Sequence, residues 1–259
     1  QPLSVAVCEG ANAGFYITAN ALSPISYQWQ ISTNGGINWV DIAGANSSAY
    51  NISNTSIPQH NYAYRCVLTS AACSAPVISN VATLSVRKIP VVALVANPGT
   101  GLLPGATTHL NANVTSTGGA NSYNWFYNSA PLSFSGNQYE VDIEKIGNYR
   151  VTVMEAWAGG PVCSATSSLV TIQALASNKL FVFPSPNNGQ FEVAYYNETG
   201  NQAQRHLTIV NASGQKVFDK VFTINGSYTL LPIDLRQAAT GIYFVFVYNA
   251  AGKKLATGK

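Results

Sequence analysis

Three carboxylates at alternate positions, in Glu140-Val141-Asp142-Ile143-Glu144, form the tightest group of possible metal ligands in the chain. On a strand they would share one face, but same-face side chains stand about 7 Å apart, too spread to wrap a cation that needs a full shell of oxygens. They read as a solvated face opposite inward Val141 and Ile143, and no metal site is expected. The histidines His60, His109 and His206 lie far apart in the chain. A nucleophile needs a base, and the base an orienting group, all converging on one pocket. With no Gly-x-Ser-x-Gly elbow either, no catalytic residue is expected. Gly99-Thr100-Gly101 with Pro104-Gly105 is a near miss to a phosphate loop but lacks a βαβ setting, so it reads as an inter-strand loop and no cofactor is expected.

The cysteines Cys8, Cys66, Cys73 and Cys163 contain no CxxC, and no histidine sits at zinc-ligand spacing from them. They read as disulfide cysteines of an oxidising compartment. A Cys8–Cys66 bridge would cross-link two sheets. Three of the four fall before residue 88, so one of those three, or Cys163, is left free or available for an intermolecular bond. Of the tryptophans, Trp29 and Trp125 stand at core positions of strands. Trp157, in Ala156-Trp157-Ala158-Gly159-Gly160, reads as a loop residue that could stack on a sugar or anchor a protein partner, or equally fold back on its own domain or a neighbour.

The elements that must carry these residues are strands. Ser26 to Ile31, Tyr64 to Thr69 and Asn148 to Val153 alternate with a period of two, Gly, Asn, Pro and Ser punctuate between them, and no amphipathic helix is evident. Ile242 to Tyr248 is apolar almost throughout and reads as a strand buried on both faces. Short strands at regular spacing predict an all-β fold of β-sandwiches. Only 9% of residues are charged against 47% hydrophobic, so the surface is neutral and rich in Asn, Ser, Thr and Gly. A net charge of +3, from 13 Lys and Arg against 10 Asp and Glu, is too small and scattered for a nucleic-acid binder. No run reaches the length of a membrane helix.

Three tandem immunoglobulin-like sandwiches are expected, at 1–87, 88–174 and 175–259. In the first, Phe15 to Ala19 and Ser26 to Ile31 read as strands, with Asn34-Gly35-Gly36 turning the chain into Asn38 to Ile42. The words Cys8-Glu9-Gly10, Tyr27-Gln28-Trp29-Gln30, Ser32-Thr33-Asn34-Gly35-Gly36 and Tyr64-Arg65-Cys66-Val67 resemble the immunoglobulin-like repeats of secreted Bacteroidota proteins. In such repeats the Cys8 and Cys73 words often occur together, which implies a Cys8–Cys73 bridge. The second unit repeats the plan through Tyr123-Asn124-Trp125, Asn148-Tyr149-Arg150-Val151 and Cys163-Ser164-Ala165.

The third unit carries Leu180-Phe181-Val182-Phe183-Pro184-Ser185-Pro186-Asn187-Asn188-Gly189, Gly214-Gln215-Lys216-Val217, Gly241-Ile242-Tyr243 and Gly252-Lys253-Lys254-Leu255. In order and spacing these resemble the C-terminal sorting domain of the Bacteroidota type IX secretion system. The motif residues are Pro184, Pro186, Gly189, Gly214, Val217, Gly241, Tyr243, Lys254 and Leu255; Ser185 departs from the family's usual Asn. The resemblance implies a protein placed outside the cell or on its surface, with the type IX machinery as partner. The expectation is a non-catalytic adhesion or structural subunit, able to self-associate through edge strands or to bind a glycan or surface protein. The alternatives are the tail of a larger secreted hydrolase and a carbohydrate-binding module.

Overall fold

The computed structural model describes residues 1–71, 73–115 and 118–259. It is all-β, with two short 3-10 turns as the only helical elements among the described residues. By compactness these residues fall into two units. One gathers Gln1–Ala93, Asn113–Asn124 and Val151–Ser167; the other gathers Leu94–Ala112, Trp125–Arg150 and Ser168–Lys259.

In the first unit a sheet runs in the order Val5–Cys8, Ala82–Arg87, Ala63–Ser70, Ile25–Ser32, Val40–Asp41, with Cys73–Ile78 also pairing onto Ala63–Ser70. Val5–Cys8 lies parallel to Ala82–Arg87 and sets Cys8 opposite Arg87. Ala13–Tyr16 and Ala49–Ile52 form the second layer. Alternation explains the core: Trp29 and Cys66 on neighbouring strands and Phe15 on the other layer are completely buried. The rings of Phe15 and Tyr64 stack at 4.6 Å, and Trp29 Nε1 donates to the Ser47 carbonyl at 2.9 Å, so the polar edge of the indole is satisfied. The Asn34-Gly35-Gly36 turn forms as expected, since both glycines have positive φ. Its return strand is only Val40–Asp41, because residues 34–38 close on themselves through Asn34 Oδ1, which accepts the Asn38 amide at 2.9 Å.

The strands from Val91–Asn97 to Val170–Ala174 repeat this plan. Gly101–Leu102, Val170–Ala174, Gly147–Ala156, Ala120–Tyr127 and Ala130–Pro131 follow in sheet order, with Val162–Thr166 also on Gly147–Ala156. Gln138–Val141, Thr108–Thr115 and Val91–Asn97 make the other sheet. Trp125 is completely buried and donates to the Gly136 carbonyl at 2.8 Å, as Trp29 does in its own sandwich. Tyr149 hydroxyl donates to the Lys145 carbonyl, the corner tying a strand start to the turn before it. The carboxylates of 140–144 do not lie along a strand. Gln138–Val141 ends before Asp142, whose Oδ1 accepts the Glu144 amide at 3.1 Å and caps the turn Ile143–Lys145. A short acceptor beside free amides favours the cap over the extended chain. Val141 and Ile143 are nevertheless buried, as their apolar character requires.

The C-terminal strands form a sandwich within the second unit. Leu180–Phe183, Gln190–Tyr195 and Leu231–Asp234 pack against the sheet Lys216–Ile224, Ala203–Asn211, Tyr243–Asn249, Lys254–Gly258. Its core is aliphatic, with Val193, Leu207, Ile209, Val245 and Val247 nearly sealed from solvent. The segment expected to be buried on both faces is not: Phe244, Phe246 and Tyr248 are half-buried on the outer face, where Lys254 and His206 lie near the rings.

Candidate functional site

Two stretches far apart in the chain meet at one end of the C-terminal sandwich. After Leu180–Phe183, the loop holding Pro184, Pro186 and Gly189 is tied by Asn187, whose Nδ2 donates to the Pro184 carbonyl at 3.2 Å and whose Oδ1 accepts the Gly189 amide at 2.8 Å. Gly189 has φ +95, and a Cβ there would stand 3.0 Å from Arg236 N; its carbonyl accepts the Leu235 amide at 2.7 Å. Glycine is therefore required twice, by backbone conformation and by close approach. The stretch after Leu235 ends in Gly241 and Tyr243, where the tyrosine hydroxyl donates to the Ala239 carbonyl.

Pro186, Gly189, Arg236, Gly241, Tyr243 and Lys259 line a cavity of about 640 Å³ whose wall includes core residues Val182 and Phe191, with Ile242 half-exposed beside it. Arg236 pairs with Asp234 at 2.6 Å, and its hydrogen bonds hold the Asp234 carboxyl down at about 2. That pair is neutral as a whole, and besides it the cavity offers Lys259, an apolar wall and loop amides.

The other two words set the frame. Gly214, at φ +80, turns the hairpin between Ala203–Asn211 and Lys216–Ile224, where Asn211 Oδ1 accepts the Ser213 and Gln215 amides. Val217 and Leu255 pack against the core, and Lys254 lies exposed beside Phe246 on the outer face.

Residues 181–257 match a family described as a secretion system C-terminal sorting domain, a span that contains every one of these motif residues. The chain ends in a type IX sorting domain. The protein is accordingly exported by that route and is secreted or held on the cell surface. Residues 3–88 match a domain of unknown function, DUF8696. No curated protein matches the chain. Among solved structures, a marsupial T cell receptor is similar over 100% of this chain and 99% of its own at 11% identity and a TM-score of 0.47. Murine CEACAM1b is similar over 68% of this chain and 100% of its own, at 15% identity and 0.37. The fibronectin(III)-like modules of Clostridium thermocellum CbhA are similar over 66% and 90%, at 14% and 0.34. No helix among the described residues is long and apolar enough to cross a membrane.

Ahead of the sorting domain, the cysteines pair differently from expectation. Cys8 bonds to Cys163, with Cα atoms 5.6 Å apart, while Cys66 is free and buried and Cys73 is free and exposed. Cys8 lies opposite Arg87, beyond the Ala63 end of strand Ala63–Ser70, whereas Cys73 pairs with Ser70 at the other end. A strand of that length separates them by roughly 20 Å, far outside disulfide reach. Cys66 points into the core between the sheets, as its alternation predicted, and burial pushes its thiol pKa up.

Beside this bond, Trp157 follows the strand Gly147–Ala156, and the Arg87 guanidinium sits 4.4 Å from its ring centroid. Trp157 therefore folds back on a neighbouring element, and the face under Arg87 is not open to a sugar. Glu155, opposite Cys163 in the ladder, is completely buried and accepts the Gly119 amide at 2.6 Å. Arg87 and Glu155 do not stand out in the sequence, because their partners lie in loops whose approach depends on the fold. Each histidine has its own local partner: His60 Nδ1 accepts the Val86 amide at 3.1 Å, His109 lies 3.2 Å from Glu140, and His206 lies 2.6 Å from Asp219.

Proposed function

We propose that the chain is a non-catalytic adhesion or structural subunit of the cell surface, with immunoglobulin-like modules at 1–87 and 88–174 carried by the sorting module at 175–259. The observation that carries the reading is the Cys8–Cys163 bond, which joins the first module to the second and suits a stalk that bears load. His109 and His206 serve strand-to-strand contacts, and His60, after the turn Ile57–Gln59, accepts a strand amide, which supports the non-catalytic reading. Self-association is favoured by strand Cys73–Ile78, which pairs with Ala63–Ser70 and leaves Val77 59% and Ile78 52% exposed. An apolar edge on a charge-poor surface invites pairing with another copy.

The motif cavity is the surface through which the export machinery recognises the sorting module. Electron microscopy and sedimentation of protein recovered from the cell surface test assembly. Oligomers that dissociate with Val77→Lys are expected, and monomers at high concentration overturn it. A reporter fused to residues 175–259 is expected outside the cell and to remain inside with Tyr243→Ala.

A further inference from the structure

The end of the sorting-domain sandwich remote from the motif cavity holds a charge the fold does not explain. The ladders fix the geometry: Asn211 pairs with Tyr243 at the cavity end, and Arg205 with Asn249 at the other. Alternation places Arg205 on the same face as Leu207 and Ile209, both completely buried. Tyr195 shares a face with Phe191 and Val193 on the opposing sheet.

A guanidinium on a core-facing side is costly unless its donors and charge are met. Here Nη1 donates to the Gln204 carbonyl at 3.0 Å and Nη2 to Asn197 Oδ1 at 3.2 Å, while Nε is buried with no hydrogen-bond partner. Among the described residues no carboxylate lies within ion-pair distance of it; the pairs present involve other residues. Asn197, only 3% exposed, is locked by donating to the Asn201 carbonyl at 2.7 Å and the Gly226 carbonyl at 3.1 Å. Its Oδ1 is thereby fixed toward Arg205, so the half-buried guanidinium is held in place without an ion-pair partner among the described residues.

This group lines a cavity of about 800 Å³, a volume within the range of small-ligand sites. The rest of the wall is dominated by hydroxyls, amides and phenol rings, including Ser177, Asn178, Tyr195, Tyr196 and Thr199. Tyr228 sits 5.4 Å from the Tyr196 ring and donates its hydroxyl to the Leu175 carbonyl at 2.9 Å, which fixes that side of the wall. Glu198 also lines the cavity and is exposed to solvent. A fixed cation with spare N–H groups selects a planar carboxylate, and tyrosine faces with amides select a sugar ring.

We propose that this cavity binds an acidic saccharide, a uronic acid carboxylate pairing with Arg205 while the sugar rings lie against Tyr195 and Tyr196. Calorimetric titration of the full chain tests it, using short galacturonate and glucuronate oligosaccharides, their methyl esters, and acetate. At least one acidic oligosaccharide is expected to bind, with its ester roughly tenfold weaker or worse. Arg205→Gln is expected to lose roughly tenfold, Arg205→Lys to recover only part of it, and Trp157→Ala to change nothing. If Arg205→Gln does not fold, amide shifts on titrating the unaltered chain decide: they must centre on Asn197 and Arg205. No binding by either acidic series overturns the proposal, as do equal affinity for the esters, acetate matching the oligosaccharides, or a folded Arg205→Gln that binds undiminished. Export of the reporter reads the opposite end of the domain, so its outcome is independent of this one.

Discussion

The first sandwich and the sorting domain are built on one principle and filled by different chemistry. In the first, Phe15, Trp29, Tyr50 and Tyr64 form a continuous ring cluster, with neighbouring centroids from 4.6 to 6.3 Å apart. Trp29, Tyr64 and Cys66, which help make its sequence recognisable, also fill its core. The sorting domain is filled by Val, Leu and Ile, while its recognisable residues are largely glycines and prolines of loops that close a cavity. Recognisable words in a core report packing, and recognisable words in loops report a surface that something else must read.

The widest gap between the two regions should appear in their cores. Trp29→Ala is expected to cost about 3–5 kcal/mol and to lower only the transition of the N-terminal region in urea, leaving that of the sorting domain in place. A single transition that shifts as a whole would break the comparison. Next is the covalent link. Converting both Cys8 and Cys163 to Ser is expected to cost about 2–5 kcal/mol, given the long loop they close over a separation of 155 residues. Before unfolding, alkylation should label Cys73 alone, and a peptide map should join Cys8 to Cys163; a Cys8–Cys73 peptide would contradict the structure.

Glycine substitutions separate frame from cavity within the sorting domain. Gly214→Ala meets open space, so its cost is the left-handed backbone alone, about 1–2 kcal/mol. Gly189→Ala adds contact with Arg236 N at 3.0 Å, so it should destabilise more and should reduce reporter export, where Gly214→Ala should not. Equal export by both variants would detach the cavity from recognition.

The smallest effect is electrostatic. Hydrogen bonds from Lys216 and Thr208, with a lesser contribution from His206, hold the Asp219 carboxyl down at about 2. A carboxyl lowered on folding stabilises the fold above its unfolded value near about 4 and loses that contribution as pH falls toward about 2. Melting temperatures should therefore drop across that window in acid, slightly less steeply for Asp219→Asn. Among the described residues, the first sandwich shows no comparable pair.

Much of the architecture was legible because strand alternation is local. Trp29, Trp125, Cys66, Val141 and Ile143 face inward as their positions implied. The sorting motifs were legible because their order along the chain is itself the information. The reading of 140–144 as a strand failed at Asp142, where one capping hydrogen bond outweighs the alternation around it. The doubly buried reading of Ile242 to Tyr248 failed because aromatic rings on an outer face can be half-covered by Lys254 and His206.

By itself the sequence determined the all-β class, the inward residues and the export route, since each depends on neighbours a few positions apart or on ordered words. The tertiary structure decided which cysteine meets Cys8, which ring lies beneath Arg87, and that Arg205 stands at a cavity without an ion-pair partner among the described residues. Those outcomes depend on groups 70 or more residues apart in two cases, and in the third on sheets closing around one side chain, with separations of 155 for the disulfide. Local alternation says which face a residue takes, but it cannot say what the fold brings to meet it.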